Sequence, residues 1–134
     1  MSSGRARGAG SSALPDAPRR WHLYVVDLGS RVGTKPGKHR PCLAIQPDEF
    51  REGGLGSTVI LPLTTQLLPP EAYPLRVRVP AGTCGLERDS ELMIDQVLAW
   101  DHTFFRKDLG EIPALLQDEV KRALAEFLDL TGAG

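Results

Sequence analysis

Arg40 ends the run Gly33-Thr34-Lys35-Pro36-Gly37-Lys38-His39-Arg40, in which Lys35, Lys38 and Arg40 carry fixed positive charge and His39 can titrate. Glycine tolerates positive φ and proline presets a turn, so this spacing predicts a loop whose cations can surround an anion. Phosphate suits such a loop, because ionised donors bind its oxygens through short, strong hydrogen bonds. The segment after it, Cys42-Leu43-Ala44-Ile45, is apolar and bounded by Pro41 and Pro47, which reads as a buried strand. A guanidinium at the base of that strand is held more firmly than one at a loop tip, making Arg40 the strongest single candidate. Asp95 is a second conspicuous residue, an acid inside the mostly apolar stretch Leu92–Trp100, which reads as an apolar strand.

The elements that must position these residues follow from the rest of the chain. Its 134 residues and 41% hydrophobic content fit one domain with a buried core. With 16 basic and 17 acidic residues the formal net charge is -1, so nucleic-acid binding would depend on local clustering and not on a strongly basic protein. Such clustering exists between Arg19 and Arg40, where Arg19, Arg20, Arg31, Lys35, Lys38 and Arg40 face one acid, Asp27. Cys42 and Cys84 form no CxxC pair, which predicts a reducing, cytoplasmic setting. His22, His39 and His102 lie far apart, so no local metal-ligand motif is present. No apolar run approaches the ~20 residues of a membrane span, and the N-terminus lacks the apolar centre of a signal peptide.

Residues 1–19, rich in Gly, Ser, Ala and Arg, carry too little bulky apolar surface to offset ordering and are predicted to form a flexible tail. Residues 20–131 then form the domain. Trp21–Leu28 is aromatic and β-branched, which favours a strand. Residues 47–57 read as a Gly-rich connection, and Thr58–Leu63 as a strand that Pro62 assigns to an edge or a bulge. In Leu75-Arg76-Val77-Arg78-Val79 the aliphatics alternate with two arginines, predicting a half-exposed strand with a solvated arginine face. Arg88 and Asp89 read as a structural turn pair. From Pro113 to near Gly132, Leu116, Val120, Ala123, Leu124, Phe127 and Leu128 recur at helical spacing, predicting an amphipathic helix. Short strands followed by one packing helix indicate a small, mostly antiparallel sheet or barrel.

Taken in chain order, Tyr24–Leu28, Gly33–Pro41, Leu61-Pro-Leu-Thr-Thr-Gln66, Leu86-Glu-Arg-Asp-Ser90, Asp95-Gln96-Val97 and the C-terminal helix resemble the MazF/PemK toxins. The resemblance spans about residues 20 to 130 and is carried by the order and gaps of the blocks, since each motif is short. It implies an α+β fold over 20–131, mainly β: an SH3-like small β-barrel of the MazF/CcdB type with a C-terminal packing helix. It also implies a cytoplasmic homodimer, a sequence-specific endoribonuclease that needs neither metal nor cofactor, and a cognate MazE-like antitoxin that binds over the RNA site. Members cut single-stranded RNA to 2′,3′-cyclic phosphate and 5′-hydroxyl ends.

By the same resemblance Arg40 matches the family's catalytic arginine and Thr64 its catalytic threonine, while Asp95 falls where some members use a catalytic aspartate. Thr65 and Gln66 are implied RNA contacts beside Lys35, Lys38 and His39. The chain departs from the family pattern at Thr34-Lys35, where members commonly carry Ser-Glu or His-Glu. It departs again at Met93, where some carry arginine, and at Trp21-His22, which replaces a near-initial Gly-Asp/Glu pair. Metal-free cleavage uses the RNA 2′-hydroxyl as nucleophile, so the protein must help remove its proton, stabilise the phosphorane and protonate the departing 5′-oxygen. Arg40 suits a bidentate clamp and Thr64 a positioning hydroxyl, whereas the base is Asp95, His39 or water. Two other functions fit the same barrel: a CcdB-like gyrase inhibitor and a non-catalytic RNA-binding module.

Overall fold

Alternation of apolar side chains builds a sheet that is covered on both faces. The computed structural model describes residues 14, 16–30, 33, 38–69 and 72–130. Along the chain these form β1 (His22–Asp27), β2 (His39–Ala44), helix α1 (Asp48–Glu52), β3 (Ser57–Thr64), β4 (Arg76–Val79), β5 (Ser90–Met93), β6 (Leu98–Asp101), β7 (Phe105–Glu111) and helix α2 (Ala114–Phe127). The strands pair antiparallel in the order β4-β5-β3-β2-β1-β7, and β6 also pairs with β3. The expected mainly β architecture with a C-terminal helix is what the chain adopts. Among the described residues the hydrogen-bonded ladder runs from β4 to β7 without closing.

Neighbouring strand residues enter opposite cores, as the two-residue period requires. Leu23, Leu43, Leu61 and Leu63 join Val77, Val79 and Leu92 in a cluster covered by Leu116, Val120 and Ala123 of α2. Tyr24, Val26, Cys42, Ala44 and Ile60 turn the other way and pack with Phe105. That aromatic pair meets edge to face at 5.5 Å between ring centroids. Of the predicted tail, Leu14 packs against this second cluster, Pro18 is buried, and the Arg19 N–H donates to the Tyr24 hydroxyl at 2.7 Å. Residues 1–13 lie outside the described residues.

Four sequence expectations are corrected. The 47–57 connection contains the five-residue helix α1. The strand holding Pro62 is central and not an edge: β2 pairs along one side, and β6 then β5 along the other. Because the Ile45 N–H reaches the Val59 carbonyl at 3.0 Å, odd-numbered residues of β3 present their backbone to β2. The absent N–H of Pro62 therefore falls in the gap between Leu98 of β6, opposite Ile60, and Leu92 of β5, opposite Leu63. The apolar stretch after Ser90 is two strands, β5 and β6, joined by a turn that holds Asp95 and Gln96.

Helix α2 also stops sooner than its periodicity suggests. Asp129 takes φ 57°, its N–H reaches the Glu126 carbonyl, and the Leu130 N–H reaches that of Ala125 at 2.7 Å. This Schellman-type closure ends the helix at Phe127, leaving Phe127 and Leu128 exposed. Gly132 lies outside the described residues. No helix among those described is long and apolar enough to cross a membrane.

Candidate active site

Arg40 lies within β2, which starts at His39, so the guanidinium is held by a paired strand and not by the preceding loop. β2 and β3 pair Ala44 with Ile60, Leu43 with Leu61 and Cys42 with Pro62, and two further steps of that register bring Arg40 opposite Thr64. The Arg40 Nη1 donates to the Leu63 carbonyl at 3.0 Å. Its Nε is buried without a partner, and among the described residues Arg40 makes no ion pair. A buried donor left unmatched is costly, and Nη2 also has no partner among the described residues, so this cleft-lining guanidinium keeps uncommitted donors.

Such an acceptor has room. Arg40, Leu63, Thr64, Thr65, Gln66 and Asp95 line one open cleft of about 710 Å³. The Thr64 hydroxyl accepts from the Gln66 N–H at 3.1 Å, a two-residue turn that fixes the end of β3 and leaves the hydroxyl proton free to donate. Asp95 is exposed in the β5–β6 turn. Pro41, Arg76, Gly85–Arg88, Ser90, Met93 and Gln96 complete the wall.

The loop after Thr64 is fastened from below by Glu91, whose side chain is only 5% exposed. Its carboxylate accepts from Arg76 Nη1 at 3.0 Å, Arg78 Nη2 at 3.1 Å and the Leu68 N–H at 3.0 Å. Arg76 Nη1 also donates to the Gln66 carbonyl at 3.1 Å. The predicted solvated arginine face holds for Arg78, which is half exposed, but not for Arg76, which is largely covered, and both guanidiniums donate to one buried carboxylate. Sequence reasoning missed Glu91, Arg76 and Gln96. The available signal was an acid in the otherwise apolar run Glu91–Ile94, matched by two arginines at strand spacing. The turn pair Arg88–Asp89 is also corrected, because the Asp89 carboxylate accepts from the Ala81 N–H at 2.8 Å while Arg88 lines the cleft.

Two loop candidates lie elsewhere. Residues adjacent in a regular strand point to opposite faces, and His39, beside Arg40 in β2, approaches Asp27 at 3.9 Å and is absent from the cleft wall. Lys38 is exposed at φ 65°, where its backbone closes the hairpin through Gly29 and the Leu28 N–H, and it too does not line the cleft. Lys35 lies outside the described residues. Cys42 is fully buried, and burial pushes its thiol far above the ordinary value, so it stays protonated and unreactive.

The sequence model of the PemK-like, MazF-like toxins of type II toxin–antitoxin systems matches residues 19–128. The chain belongs to this PemK/MazF toxin family. Among its relatives, the endoribonuclease MazF6 of Mycobacterium tuberculosis is 38% identical over 111 residues, covering 83% of this chain and 96% of the relative. Endoribonuclease EndoA of Bacillus subtilis is 29% identical over 112 residues, covering 84% and 95%. MazF of Deinococcus radiodurans superposes with a TM-score of 0.70 at 25% identity, over 84% of this chain and 97% of its own. The toxin also resembles a MazE–MazF structure from the same organism, with a TM-score of 0.66 at 25% identity over 84% and 97%. In this PemK/MazF member the cleft thus joins blocks distant in sequence: the β2 arginine, the β3 threonine and the β5–β6 turn.

Proposed function

We propose that this PemK/MazF toxin cleaves single-stranded messenger RNA at short sequences without a metal ion, leaving 2′,3′-cyclic phosphate and 5′-hydroxyl ends. Arg40 is the electrostatic centre, clamping the non-bridging oxygens as charge builds on the phosphorane. The carrying observation is its fixed but unpaired guanidinium, tied by Nη1 to Leu63 with Nε unmatched, at the wall of a cleft shared with Thr64. The Thr64 hydroxyl positions the 2′-hydroxyl or a phosphate oxygen, a role that needs placement more than basicity. Asp95 is the base supplied by the cleft wall itself, and His39, turned toward Asp27, is not required. Thr65 and Gln66 present polar groups to the bases.

The relatives named endoribonuclease, and the arrival of an arginine and a hydroxyl in one cleft, support this reading. An acidic MazE-like antitoxin is the proposed neutralising partner, supported by the similar MazE–MazF assembly, and the toxin acts as a cytoplasmic homodimer. The test is incubation of antitoxin-free protein with a long mixed-sequence RNA in excess EDTA, followed by end analysis. Discrete cuts with cyclic-phosphate ends support the proposal. Intact RNA, or cuts that require added metal, would overturn it, and binding without cleavage would mark a non-catalytic RNA-binding module instead.

A further inference from the structure

Arg76 commits only one of its nitrogens to the protein. Nη1 holds both the Glu91 carboxylate and the Gln66 carbonyl, while Nε and Nη2 have no partner among the described residues. The side chain is 18% exposed and lines the 710 Å³ cleft. It also lines a neighbouring pocket of about 290 Å³ whose wall includes Pro69, Tyr73, Arg78, Glu91 and Glu119. Arg76 therefore stands where the two cavities meet.

Arg76 and Arg78 share the Glu91 carboxylate, and Glu119 also lines the second pocket, so attraction for an anion lies at the free Nε–Nη2 edge of Arg76 and not in a net charge of the cavities. A planar guanidinium held through Nη1 keeps its Nε–Nη2 edge to donate to a phosphate.

We infer that Arg76, oriented by Glu91, binds a backbone phosphate of the RNA flanking the cleaved linkage, where the strand leaves the Arg40–Thr64 cleft for the second pocket. This assignment rests on the RNA-cleavage reading. Arg76 grips the strand outside the reacting bond, so its contribution falls on binding, and Glu91 is a positioning residue acting through it.

The test compares the unmodified toxin, Arg76→Ala, Arg76→Lys and the paired change Arg76→Met with Glu91→Gln, using cleavage of one long mixed-sequence RNA at several salt concentrations. Arg76→Ala is expected to raise KM by about tenfold, the loss expected of one charge-assisted hydrogen bond, with a much smaller change in kcat. The slope of log affinity against log salt should fall in magnitude by about 0.7, one phosphate contact on a single strand. Arg76→Lys should keep that slope and recover part of the affinity. If Arg76→Ala fails to fold, the paired change, which removes the buried charge with its partner, is read in its place. Unchanged KM and salt slope in a folded variant overturn the inference while RNA cleavage stands. Absence of cleavage by the unmodified toxin overturns the underlying function as well.

Discussion

Arg40 Nη1 is bonded to the carbonyl of Leu63, the residue immediately before Thr64, at 3.0 Å. One hydrogen bond thus couples the position of the cleft's unpaired cation to the end of the strand that carries its hydroxyl. Arg40 sits on β2 and Thr64 on β3, so the pairing of these strands and this bond together hold the spacing of the two groups.

The hydroxyl can be tested without removing bulk. Thr64→Val keeps the shape of the side chain but loses the donor, so kcat should fall at least about tenfold, the range expected when a positioned hydrogen bond disappears. Thr64→Ser should retain most activity. Single-turnover cleavage of a fixed RNA separates the two, and equal rates for Val and Ser would remove the hydroxyl from the chemistry.

Glu91 should matter for stability. Replacing it with alanine leaves Arg76 and Arg78 without their shared partner and frees the Leu68 N–H. Breaking a buried pair on one side costs roughly 3 kcal/mol, at the lower end of its range here because Arg78 is half exposed. Urea titration should show a lower midpoint at unchanged slope.

Tyr24 supplies an alkaline signature. Burial, opposed in part by the Arg19 N–H bond, raises its phenol from 10.0 to about 12. The unfolded chain then loses the phenolic proton before the folded one does, so stability should decline as pH rises from 10 toward 12. Tyr24→Phe removes that part of the decline and, by losing the acceptor for Arg19, costs about 1 kcal/mol at neutral pH. Thermal melts of both proteins across this alkaline range check the difference.

Local pattern foretold much of this arrangement. Val77 and Val79 alternate into the core as their spacing required, and Leu116, Val120 and Ala123 form the buried stripe of α2. The family resemblance pointed to Arg40, Thr64 and Asp95, all of which line the cleft. What eluded sequence reading depends on contacts between distant segments. Pro62 is compatible with a central strand only because the pairing of β3 with β6 stops at Ile60 and its pairing with β5 starts at Leu63, and Arg76 is largely covered because it reaches the Glu91 carboxylate on β5. Strand β7 has little apolar alternation of its own and is defined by pairing with β1. His39 seemed part of the site by adjacency to Arg40, yet adjacency within a strand is what separates them.

The most direct measurement compares unmodified protein with Arg40→Ala on a long mixed-sequence RNA in excess EDTA, each first shown to have the same circular dichroism spectrum and melting behaviour. Metal-independent cleavage with cyclic-phosphate ends is expected, reduced about 100 to 1,000-fold by the substitution. A folded Arg40→Ala protein that cleaves as fast as the unmodified one would contradict it.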